Sequence, residues 1–224
     1  MRLGDVGPGG RLRLDSATRY LQDVSADDTA DAALPDAEAW VVRKTVVEAH
    51  VRPRYQEHVD VATWCSGTGS HWAERRITIR GDAGGHVEAA STWVHFDHRT
   101  GRPKRVPHGF DAIYGEASGG RKVKARLLHP DPEGGDTRPW PLRATDFDVL
   151  RHVNNAAYWE AVEEVLADDP LARLPLRAEL EHRAAVEPGA AVDLVHRRDD
   201  GGLWVWLVAD GAVGASARVE PLSR

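Results

Sequence analysis

Thr145–Glu164 reads TDFDVLRHVNNAAYWEAVEE, a polar, turn-prone entry that runs straight into an amphipathic helix. Tyr158, Val162, Val165 and Leu166 recur at i, i+4, i+7 and i+8, the spacing that gathers side chains on one face of a helix. Glu160, Glu163 and Glu164 fall on the other side and are expected to face water. Ahead of the helix stand Asp146, Asp148 and His152, then Asn154 and Asn155, where the first N–H groups of a helix lack partners of their own. A carboxylate, an imidazole and aimed N–H donors can polarise a carbonyl and position water. The same residue types also make N-caps and turns, so residue chemistry alone leaves both roles open.

Working outward, a strand is expected at Pro139–Ala144 and the helix at Val153–Ala167. Strands follow at Leu176–Ala185 and Ala191–Arg198, then a tight turn at Asp199–Gly202, then strands at Leu203–Ala209 and Val213–Val219. The same order occurs earlier in the chain. A short strand at Arg11–Leu14 leads to a helix starting at Asp15 and Ser16, with Ala17, Tyr20, Leu21 and Val24 at helical spacing. That helix should run into Asp27–Ala33 and stop near Pro35. Strands are expected at Trp40–Ala49, around Val59–Thr63, around Ile77–Ile79 and at His86–Phe96. Val46, Glu48, Pro53, Val59, Asp60 and Val61 run in the order of Leu180, Glu181, Pro188, Val192, Asp193 and Leu194. The chain is an internal repeat, each copy one helix and an antiparallel sheet.

With 224 residues and 42% apolar content, the chain can bury one large core or two cores of about 100 residues each. A net charge of −6, from 29 basic and 35 acidic residues, argues against nucleic-acid binding or attraction to anionic membrane by the chain as a whole. The single cysteine, Cys65, excludes an intrachain disulfide and fits a reducing cytoplasm. No signal peptide or membrane-spanning run is legible, so a soluble cytoplasmic protein without membrane insertion is expected. Arg99–Arg126 gathers eight basic residues against Asp111 and Glu116 and is rich in Gly and Pro. It reads as a linker rather than a folded element, either a solvated crossover or a basic docking patch.

The motif D-x-D-x-x-x-H-V-N-N-x-x-Y at Asp146–Tyr158 resembles the signature of hotdog-fold thioesterases, and more narrowly the second half of the acyl-ACP thioesterases. RLRLDSATRYLQD, WVVRKTVVEAHVRPRYQEHVDVATW and ASTWVHFDHRTGRPKRVP are similar in order and spacing to the first half of that family. The resemblance implies an α+β fold of two tandem hotdog domains, each a long helix wrapped by a curved antiparallel sheet, forming a pseudo-dimer within one chain. The expected division is a first domain over 1–105, supplying the acyl pocket, a linker over 106–137, and a catalytic domain over 138–224.

The implied activity is hydrolysis of a fatty acyl thioester, first that of acyl carrier protein and alternatively that of coenzyme A, with no cofactor, in a monomer or homodimer. A non-catalytic acyl-binding module is the alternative of another class. A hotdog dehydratase would share the fold, but HVNN-x-x-Tyr is closer to thioesterases. Carried over onto this sequence, the resemblance makes Asp148 the catalytic carboxylate and His152 the imidazole, with Asn155 beside them. Glu187 is the candidate for the family's acidic position, and Asp146, Asn154 and Tyr158 are candidates for substrate contact. Arg102, Lys104, Arg105, Arg121, Lys122 and Lys124 would dock the acidic carrier or the coenzyme phosphates. The plant-type enzymes carry Asn at the position of Leu150, and leucine cannot hydrogen-bond; Asn154 and Asn155 are the nearest amides that could take its place.

Cys65, in the half without the motif, is expected to be a small buried hydrophobe rather than a nucleophile. The tryptophans, among them Trp40, Trp64, Trp93, Trp204 and Trp206, read mostly as core. His95, Asp97 and His98 lack a partner set for zinc, and no metal is expected.

Overall fold

The computed structural model describes residues 1–32, 40–97 and 99–223. Two copies of one four-stranded design meet edge to edge in a single sheet. The first copy holds helix α1 (Leu14–Asp31) and strands β1 (Trp40–Val51), β2 (Val59–Thr68), β3 (Trp72–Gly81) and β4 (His86–Asp97). A two-residue strand β5 (Arg102–Pro103) pairs with β4, and helix α2 (Phe110–Ser118) follows. The second copy comprises β6 (Asp136–Pro139), α3 (Asn155–Leu166), β7 (Leu176–His182), β8 (Val192–Asp199), β9 (Gly202–Ala209) and β10 (Ala212–Pro221). The strand order is β2-β3-β4-β1-β7-β10-β9-β8-β6. Each copy thus repeats the same internal order, and the antiparallel β1–β7 pair, with Lys44 opposite Glu181 and Ala49 opposite Leu176, joins them.

Period-two alternation explains which residues face the helices. Val47 and Ala49 of β1 and Ala178 and Leu180 of β7 point inward, where both copies share one continuous core with Leu21 of α1 and Trp159 of α3. Val46 lies instead on the outer face, along a groove with Lys44 and Glu48. It therefore matches Leu180 in order but not in orientation, since Leu180 is fully buried in the core.

Several expected boundaries move. Arg11 and Leu12 make only isolated bridges, to Arg54 and Val6. The helix begins at Leu14 with Arg13 at its N-cap, leaving Asp15 and Ser16 buried inside its first turn. It runs to Asp31; the expected stop near Pro35 lies outside the described residues. The strand expected at Pro139–Ala144 is shifted to Asp136–Pro139, and Ala144–Asp146 forms a single 3-10 turn. The 106–137 segment is not a plain linker, because it holds α2. Phe110 and Tyr114, one helical turn apart, pack with Cys65 and Ala73 in a second small core. Glycines at positive φ bound this helix on both sides, Gly109 at 92° and Gly119 at 54°, a conformation that carries little penalty only without a Cβ. No helix among the described residues is long and apolar enough to cross a membrane.

Candidate active site

The loop before α3 closes on itself. Phe147 and Val153 form an antiparallel bridge, the Asp148 N–H donates to the His152 carbonyl at 3.0 Å, and the Arg151 N–H donates to the Asp148 carbonyl at 3.0 Å. Arg151 sits at φ 62° to make the turn. One carboxylate oxygen of Asp148 accepts from the N–H groups of Leu150 at 2.9 Å and His152 at 3.4 Å. Asp148 therefore holds the turn with one oxygen. The sequence pattern of short polar residues around a turn is the local cause of this geometry.

Among the described residues, the His152 imidazole, the Asn155 amide and the Glu187 carboxylate make no hydrogen bond, and His152 is exposed. The backbone brings Glu187 close to the loop, because the Val153 N–H donates to the carbonyl of its neighbour Val186 at 3.1 Å. Leu150, 57% exposed, offers no polar group there.

All three substrate-contact candidates are engaged in the fold. Asp146 is buried and accepts from the Arg143 backbone at 2.8 Å and its guanidinium at 2.9 Å. Asn154 is the N-cap of α3, its side-chain oxygen taking the Ala156 N–H at 2.9 Å and its carbonyl taking that of Ala157 at 2.9 Å. Two of the helix-start donors expected to be open are thus occupied. Tyr158 is buried, its ring edge-on to His182 at 5.0 Å between centroids. Burial pushes its hydroxyl up to about 12, the Val186 backbone pulls the other way, and the Asp148 carboxylate adds to the rise. His182 is held down to about 3 by burial, with the Arg43 charge adding to it, and among the described residues its Nε2 has no hydrogen-bond partner.

The expectation that three glutamates of α3 face water fails at Glu163. Its carboxylate accepts from the Leu14 N–H at 2.6 Å, capping α1, and from Arg52 at 3.2 Å. Burial raises its pKa, opposed by Arg52 and Leu14. Glu160 pairs with Arg19 and Arg143, and Glu164 with Arg138.

The two groups of proposed docking residues come together around the Gly69–His71 turn. The Val106 N–H donates to the Ser70 carbonyl at 3.1 Å, and the Thr68 N–H to the Arg121 carbonyl at 3.0 Å. Arg102, Arg105, Lys122 and Lys124 are exposed and Lys104 half-buried. Arg121 pairs with Glu74, so its charge is already engaged.

An apolar cavity of about 440 Å³ opens between the second half of α1, the inner face of the first sheet and α2; Ala26, Trp40, Cys65, Trp93, Phe110 and Tyr114 line it. That volume lies within the roughly 300–1,000 Å³ of small-molecule pockets. Cys65 is buried, its thiol raised by desolvation and donating to the Gly67 carbonyl at 3.7 Å, the environment of an inert thiol. Trp159 and Trp206 are fully buried, whereas Trp40 and Trp93 are half-buried at the cavity and Trp64 is exposed. Of the zinc candidates set aside earlier, His95 bonds the Arg105 carbonyl at 2.6 Å and stacks on Trp40; His98 lies outside the described residues. His129, Glu179 and Glu181 do gather on the outer face. There Glu181 accepts from the Leu128 and His129 N–H groups at 2.7 and 3.0 Å, and Glu179 pairs with Lys44 and Arg177. Those carboxylates are spent on the protein itself.

Residues 1–114 match the family described as Acyl-ACP thioesterase N-terminal domain, and residues 131–212 match Acyl-ACP thioesterase C-terminal domain. An uncharacterized protein of Mycobacterium tuberculosis is 31% identical over 221 residues, which is 97% of this chain and 88% of that protein. An acyl-[acyl-carrier-protein] hydrolase of Cuphea viscosissima is 28% identical over 225 residues, covering 86% of this chain and 54% of the plant protein. The solved structure of a 12:0-ACP thioesterase from Umbellularia californica superposes with a TM-score of 0.81 at 20% identity, over 98% of this chain and 94% of that one. The last of these likenesses is one of fold, the two-hotdog arrangement.

Proposed function

The chain belongs to the acyl-ACP thioesterase family, and we propose that it hydrolyses fatty acyl thioesters of acyl carrier protein to release the free fatty acid. The observation that carries this reading is the closed loop Phe147–Val153, which fixes Asp148 and leaves the His152 imidazole exposed and unengaged at the start of α3. An unengaged imidazole can take a proton from an attacking water and return it to the leaving thiolate. The second oxygen of Asp148 would orient that water, with Asn155 at the start of α3 and Glu187, next to the Val186 that bonds Val153, as the candidates to assist it. The apolar cavity would receive the acyl chain. The basic residues around the Gly69–His71 turn would meet an acidic carrier, chiefly setting the rate and choice of encounter.

The test is release of free thiol from a panel of acyl-ACP and acyl-CoA thioesters by the wild type, Asp148→Ala and His152→Ala. Turnover lost by about 10²–10⁴-fold in both variants supports the assignment. A wild type that binds acyl carriers and releases no thiol overturns it in favour of a binding module. A preference for coenzyme A over carrier protein overturns only the choice of carrier.

A further inference from the structure

β1 sets one charged side chain of the first half beside His182 of β7. The register of β1 against β4 slips between Val42 and Lys44, and the extra residue of this bulge is Arg43. Bulges re-aim side chains and are enriched beside active sites. On its other edge β1 pairs with β7, Lys44 opposite Glu181, so Arg43 lies level with His182, the next residue of β7. Its half-buried guanidinium donates one hydrogen bond, from Nη1 to the Arg183 carbonyl at 3.2 Å. Among the described residues it forms no ion pair. Burial draws its pKa down and Glu181 pulls it back, but the Glu181 carboxylate is committed to the Leu128 and His129 N–H groups. A guanidinium has five N–H donors, and a desolvated charge without a counter-ion is costly to keep.

Its position says what acceptor it serves. On the cavity side, Val42 pairs with Trp93, which lines the cavity. On the loop side, His182 packs against Tyr158, whose hydroxyl feels the Asp148 carboxylate. Arg43 stands between these two sides, next to Val42 along β1 and level with His182 of β7. We propose that Arg43 binds the carbonyl oxygen of the thioester and stabilises the oxyanion formed there, supplying the polar contact that Leu150 cannot make. The proposal rests on the thioesterase reading. In the step, a water oxygen bonds to the carbonyl carbon as the C=O pair moves onto the oxygen held by Arg43. The pair then returns as the C–S bond breaks, and the thiolate leaves with the proton taken from the water.

The experiment compares wild type, Arg43→Gln, Arg43→Lys and Asp148→Ala, as full chains, in thiol release from a preferred acyl thioester, with folding checked by thermal melting. Losing one oxyanion donor lowers kcat by about 10²–10³-fold, so Arg43→Gln should fall in that range with KM changed by less than about threefold. Arg43→Lys should lie between it and wild type. In parallel, hexadecanoate binding, followed by tryptophan fluorescence, should weaken at least tenfold in Arg43→Gln while hexadecanol binding is unchanged, because the carboxylate mimics the oxyanion. If Asp148→Ala is inactive but Arg43→Gln turns over like wild type, the hydrolase reading stands and the role of Arg43 falls. If Arg43→Gln does not fold, undiminished kcat in Arg43→Lys overturns the proposal. A wild type inactive on every thioester removes the hydrolase reading and this one with it.

Discussion

His182 is buried, faces Tyr158 edge-on, and has Arg43 as its charged neighbour. Its pKa of about 3 in the folded chain lies below the ordinary 6.5. Between those values the unfolded chain binds a proton that the folded chain refuses, so the stability present above pH 6.5 is lost as the pH falls toward 3. The slope from this one group reaches about 1.4 kcal/mol per pH unit. His182→Leu removes it. Urea unfolding at pH 7.5 and 5.0 should show wild type losing about 2 kcal/mol more than the variant; equal losses would exclude a neutral buried imidazole. The turn that carries Asp148 and His152 was legible in the sequence because its spacing and turn chemistry are local. The character of His182 was not, since an imidazole at the end of a strand reads the same whether exposed or buried. Arg43 was equally silent, one of two adjacent basic residues in a valine-rich run whose bulge is visible only against β4.

At the scale of elements, α3 is held on two sides, by the sheet and by α1. Glu163 explains the second contact: its carboxylate caps α1 at Leu14 and pairs with Arg52, whose side chain is 9% exposed. Removing one partner of a buried pair leaves the other charged and unmatched. Glu163→Ala should therefore cost about 3 kcal/mol in urea unfolding, and Glu163→Gln less, because the amide keeps one acceptor for Leu14. A loss below about 0.5 kcal/mol would show that the clamp contributes nothing. The helical period of α3 identified its apolar face correctly but assigned Glu163 to solvent, since periodicity knows only one buried side. α2 was hidden by the glycines around it, although Phe110 and Tyr114 at i and i+4 between Gly109 and Gly119 were the signal for a short capped helix.

Across the whole molecule, the crossover from the first half to the second is strapped to the outer face of the shared sheet. Glu181, fully buried on β7, receives the Leu128 and His129 N–H groups, and Arg183 bonds the His129 carbonyl and Asp131. Glu181→Ala leaves two N–H groups without acceptors, a loss of about 1–3 kcal/mol. It should raise amide exchange selectively at residues 124–131; unchanged protection there would mean that Arg183, Trp206 and the His129–Ser216 contact hold the strap without Glu181. By itself the sequence determined the repeat, the antiparallel order of each half, the loop that carries Asp148 and His152, and so the family. Each is written in spacing and turn chemistry local to its own segment, and the repeat in the recurrence of those local patterns. Only the tertiary structure decided which polar groups are spent on the fold, namely Asp146, Asn154, Glu163 and Glu181. The physical reason is distance along the chain. Glu163 meets Leu14 across 149 residues and Glu181 meets Leu128 across 53, so burial and partnership are settled only when the two halves close one sheet around one core.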